Sequence, residues 1–170
     1  MNTIFWWGHE WNIDDAHHSD QDWIGYDAVE VDPMGYLVLS TYPKRRRFLK
    51  TVPNIVGQVK SVEKFSKGII EIEFSSVKSS SELEINLTDG IKSCGISIKH
   101  NGWFSKKYKK RIKIDTSKIS FYQDGKLVEE FETFSDFYHI ELKVKNSKVI
   151  NKKQSFVINH FNFYTLEPVC

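Results

Sequence analysis

The chain has 170 residues, 40% of them hydrophobic, 27% charged and 14% aromatic, with a formal net charge of +2. That suits one soluble domain over residues 1–170, with enough apolar material to bury its own core. So small a charge gives no electrostatic case for nucleic acid, no apolar run reaches membrane-spanning length, and two cysteines cannot make a disulfide framework.

The opening, MNTIFWWGHEW, lacks a basic start, a long apolar run and a small-residue cleavage site, so no signal peptide is read there. That leaves a cytoplasmic or virion-associated chain, or an exported one whose signal has been removed. GHEWNIDDAHHSDQD (8–22) then gathers His9, Glu10, Asp14, Asp15, His17, His18, Asp20 and Asp22. Such side chains can hold Zn²⁺ or Ca²⁺, but their spacing fits no metal motif, and HEWN lacks the second histidine of the zinc-protease helix. The segment reads as a polar loop, with no metal or cofactor expected.

From there period-two alternation takes over. YLVLST (36–41) is a short apolar strand after the turn DPMG. GIIEIEFSSV (68–77) sets Ile and Phe against Glu and Ser, as a half-buried strand does, and ELEINLTDG (82–90) repeats the pattern up to the turn pair Asp89-Gly90. KISFYQDGKLVEEF (118–131) is a hairpin in which Asp124-Gly125 supplies the positive φ of a tight turn. YHIELKV (138–144) and SFVINHFNFY (155–164) alternate again. About ten strands and no helix of convincing length predict an all-β fold, an antiparallel two-sheet β-sandwich of the jelly-roll kind.

Two basic clusters, YPKRRRFLK (42–50) and WFSKKYKKR (103–111), interrupt the strands. They read as solvated loops and edge strands, where lysine discourages edge pairing. The functional alternative is a surface for an anionic polysaccharide; neither cluster lies in a nucleic-acid motif. Cys94 and Cys170 are expected as free thiols, with a single bridge between them as the alternative.

Taken in order, several segments resemble glycoside hydrolase family 16, the laminarinase and β-glucanase group of concanavalin A-like jelly rolls. YDAVEVDPMGYLVLST (26–41) takes the place of the family's strand ending L-x-L. Gly57, Ser61, Phe65, Gly68 and Glu71 match its G-x-x-x-S-x-x-x-F-x-x-G-x-x-E pattern. EINLTDG resembles A-I-W-L, with Asn86 in the tryptophan position. Ile119, Phe121, Tyr122, Asp124, Gly125 and Val128 match I-x-F-Y-x-D-G-x-x-V, and INHFNFY (158–164) echoes the closing strand. The resemblance covers nearly the whole chain, and it implies a fold that presents one sheet to a sugar.

GISIKHNG (95–102) departs from it. The family's catalytic strand reads E-I-D-I-x-E-x-x-G, and an ungapped alignment puts Gly95 at the nucleophile, Ser97 at the assisting aspartate and His100 at the general acid/base. A retaining mechanism needs two carboxyl groups about 5–5.5 Å apart. His100 can transfer a proton, but glycine offers no nucleophile. A shifted register over EINLTD would bring in Glu84, Asn86 and Asp89 instead.

Of the tryptophans, Trp6 is expected in the core and Trp103 at a cleft rim, where sugars stack on aromatic rings. The expected carbohydrate-binding set is Asn86, Ser97, Lys99, His100 and Trp103, with no catalytic residue. The expected function is therefore a non-catalytic domain holding a glycan. The alternatives are a structural or assembly protein with protein partners, as in a virion or surface appendage, and a weak or active β-glycosidase hydrolysing a β-glucan through the shifted register or through acids outside the family strand.

Overall fold

A computed structural model of the chain describes residues 2–7, 13–14, 23–26, 28–42, 46–47, 50–51, 55–62, 64–77, 81–99, 109–146 and 154–165. The strands before the long central ones are β1 (Asn2–Trp7), β2 (Ile13–Asp14), β3 (Trp23–Tyr26), β4 (Val29–Val31), β5 (Leu37–Tyr42), β6 (Arg46–Arg47), β7 (Lys50–Thr51), β8 (Ile55–Val56) and β9 (Gln58–Ser61). There follow β10 (Gly68–Val77), β11 (Ser81–Thr88), β12 (Ser93–Lys99), β13 (Lys109–Asp115), β14 (Ser120–Gln123), β15 (Lys126–Glu130), β16 (His139–Asn146) and β17 (Gln154–Thr165). No helix occurs among the described residues.

Two sheets form the sandwich. The nine-stranded sheet runs β15-β14-β13-β10-β17-β5-β4, with β1 on β17 and β8 on β5. The six-stranded sheet runs β12-β11-β16-β9-β3-β2, and β6 and β7 make a separate pair. Every pairing is antiparallel except β2 with β3. The expected all-β sandwich is what forms.

Alternation decides which residues face inward, because successive side chains of a strand point to opposite faces. Ile70, Ile72 and Phe74 of β10 are buried, while Glu71 and Glu73 point out. Leu83, Ile85 and Leu87 of β11 and Ile140, Leu142 and Val144 of β16 are fully buried in the same core. Each such side chain contributes about 1.5–3 kcal/mol relative to exposure. Trp23, from the six-stranded sheet, meets Phe161 of the nine-stranded sheet edge-on at 5.1 Å, and Phe65 packs beside Phe161 and Phe163.

The 57–71 stretch carries the chain from one sheet to the other. Ser61 Oγ accepts the Ile140 N–H, Phe65 exchanges backbone hydrogen bonds with Tyr138, and the Gly68 N–H donates to Thr116 Oγ1. The hairpin turn has the geometry expected from its sequence, with φ of 48° at Asp124 and 83° at Gly125.

Part of the second basic cluster is regular strand. Lys109, Lys110 and Arg111 open β13 and pair with β10 alone, because β14 pairs with β13 only from Ile112 onward. Ile112 and Ile114 fill the core, so Arg111 and Lys113 fall on the outer face by alternation. Residues 103–108 of that cluster lie outside the described residues, as do nearly all candidate ligands of the 8–22 loop.

Candidate functional site

The candidate face is built by β12, β11, β16 and β9. Ile96 and Ile98 of β12 are 7% and 4% exposed and face the core, which turns Gly95, Ser97 and Lys99 outward. On β11 the inward run Leu83, Ile85 and Leu87 turns Glu82, Glu84 and Asn86 the same way. The register sets Asn86 opposite Gly95, Glu84 opposite Ser97 and Glu82 opposite Lys99. On its other side β11 sets Asn86 against Glu141, Glu84 against Lys143 and Glu82 against Lys145. Three of the five expected binding residues, Asn86, Ser97 and Lys99, therefore share one face. His100 and Trp103 lie outside the described residues, and so does the Trp6 side chain.

Gly95 is more than a missing side chain. A Cβ placed there would collide with Asn86 Oδ1 and the Ile85 carbonyl oxygen, and would lie 2.8 Å from Asn86 Cα. The neighbouring strand has closed over the position, so no larger residue enters without moving backbone. The Asn86 amide occupies the space in front of it.

The carboxylates on this face are all engaged. Lys99 Nζ is 3.1 Å from Glu82 Oε1, Lys145 Nζ is 2.7 Å from Glu84 Oε2, and Lys60 Nζ is 3.7 Å from Glu141 Oε1. Their side chains are 18%, 19% and 23% exposed, so each acid lies partly covered beneath its lysine. His139, opposite Thr88, holds its Nδ1 2.9 Å from the Ser61 carbonyl oxygen. A carbonyl only accepts, so Nδ1 carries the proton and Nε2 is the nitrogen left for another partner.

Asp89, the second acid of the shifted register, lies in the β11–β12 turn. Asp89 accepts the N–H groups of Ile91 and Lys92 at 2.8 and 2.7 Å, and these bonds hold its carboxyl below the usual carboxylate range. Cys94, the residue before the glycine, is a free, half-buried thiol whose burial pushes its pKa up to about 11.

Sequence reasoning missed the lysine–glutamate lattice. Its signal was present in the period-two charges of SELEIN and HIELKVK, but which lysine meets which glutamate depends on strands far apart in the chain.

No family model matches the chain, and no curated protein sequence matches it. Solved structures do. The catalytic domain of an endo-1,3-β-glucanase (laminarinase) from Thermotoga petrophila superposes with a TM-score of 0.67 at 9% identity, covering 98% of each chain. The Bacillus licheniformis β-glucanase gives 0.63 at 13% identity over 98% of this chain and 99% of its own. A Bacteroides ovatus mixed-linkage glucan protein of glycoside hydrolase family 16, in complex with a product, gives 0.62 at 12% identity over 95% and 100%. The architecture is that of the laminarinase and β-glucanase jelly rolls.

Proposed function

We propose that this protein is a glycan-binding domain that does not cleave its ligand, built on the β-glucanase type of sandwich. The observation that carries this is the filled space at Gly95, where the resemblance puts the nucleophile. The lysine partners of Glu82, Glu84 and Glu141 support it. A retaining mechanism asks one carboxyl group to attack and another to give up a proton, and each carboxylate of this face already has a lysine ammonium against it. What remains is a face of amide, hydroxyl, imidazole and ammonium groups, suited to hydrogen-bonding sugar hydroxyls. That the similar structures carry glucanase names supports a saccharide as the ligand class.

Calorimetric titration with β-1,3-glucan and mixed-linkage oligosaccharides, with reducing ends assayed in the same samples, tests the reading. Saturable binding without new reducing ends is expected, and Asn86→Ala with Ser97→Ala should weaken it. Release of reducing ends that disappears in Glu84→Gln would overturn the proposal, as would failure to bind any saccharide.

A further inference from the structure

The outer face of the nine-stranded sheet carries a cavity of about 380 Å³, within the size range of small-molecule sites. It lies where β10, β13 and β17 run side by side. Its walls are outward residues of those strands: Glu71 and Glu73, Arg111 and Lys113, His160 and Asn162. Ile72 and Ile112 between them, and Gly125 in the β14–β15 turn, also line it.

Register gives these residues a regular arrangement. Glu73 has Arg111 opposite it on β13 and His160 on β17; Glu71 has Lys113 and Asn162. Arg111 Nε donates to Glu73 Oε2 at 3.2 Å, while the arginine side chain stays 80% exposed. The Lys113 ammonium lies 5.9 Å from the centre of the Tyr122 ring, which favours one position for a flexible side chain. Two carboxylates and two cations thus line one cavity, and their charges cancel.

Carboxylates only accept hydrogen bonds, whereas guanidinium and ammonium groups only donate them. An anionic ligand would bring its charge against Glu71 and Glu73, and a cationic one against Arg111 and Lys113. A neutral molecule whose every polar group both donates and accepts meets neither penalty, and sugar hydroxyls are such groups. We infer that this cavity is a saccharide site for a neutral sugar, on the opposite side of the sandwich from β12. It stands on its own residues and does not depend on the face around Gly95.

The test is a titration of the isotope-labelled full chain with a neutral β-1,3-glucan oligosaccharide, following backbone amide resonances. Saturable shifts are expected at Glu71, Glu73, Arg111 and Lys113, with affinity for this site falling about tenfold in Glu71→Ala. Glu71 is exposed, so that substitution leaves the core untouched. A glucuronate-bearing oligosaccharide should bind the cavity at least about tenfold more weakly. Shifts confined to Asn86, Ser97 and Lys99 would overturn this inference and leave the proposed function standing. No shifts on either face would overturn both. Unchanged affinity in Glu71→Ala, or a preference for the uronate ligand, would also overturn the assignment.

Discussion

At Gly95 the identity of one residue and the packing around it say the same thing. The sequence alignment reads a glycine where the resembling family has an acid, but it does not explain why glycine is tolerated or needed. The reason comes from β11, whose Ile85 carbonyl and Asn86 side chain fill the space a Cβ would take. Gly95→Ala is therefore expected to destabilise the fold by about 1–3 kcal/mol, as overpacking does, read from denaturant unfolding. Gly95→Glu should cost more and should not create a glucanase; recovery of cleavage in a folded Gly95→Glu protein would contradict the steric account. Next to it, burial pushes the Cys94 thiol from 9.0 up to about 11. The thiolate is the reactive form, so Cys94 should alkylate slowly near neutrality and faster as pH rises through about 11. Peptide mapping after iodoacetamide treatment checks this, and rapid labelling of Cys94 at neutral pH would count against it.

Strands with a long alternating run were legible, and those without one were not. GIIEIEFSSV, ELEINLT and HIELKVKN form β10, β11 and β16 because one face is apolar and the other polar, and a slip of one residue would invert both. Two-residue strands such as β2, β6, β7 and β8 carry no period to read. Strand β13 was obscured for a different reason. Its first three residues are Lys109, Lys110 and Arg111, and their charge masks the buried pair Ile112 and Ile114. Turns were read correctly where glycine has to take positive φ. At Gly125, with φ of 83°, Gly125→Ala should cost about 1–2 kcal/mol, visible as a lower thermal midpoint. No change in midpoint would mean that the β14–β15 turn adapts to a Cβ.

Across the whole molecule, the sandwich was foreseeable because its signals are local, whereas the two candidate sites arise from pairings between distant segments. The Lys145–Glu84 and Lys60–Glu141 ion pairs and the Arg111–Glu73 contact all join residues that only strand order brings together. Asn86, Ser97 and Lys99, expected from the sequence as binding residues, share a face, whereas the cavity beside Glu71 and Arg111 was not expected. The jelly-roll sandwich thus presents ion-paired acids and a covered glycine on one side and a charge-balanced hollow on the other. The most direct measurement is mass spectrometry of a β-1,3-glucan oligosaccharide held with saturating protein in heavy-oxygen water. The account predicts intact oligosaccharide with no incorporated label; shortened fragments bearing heavy oxygen at the new reducing end would contradict it.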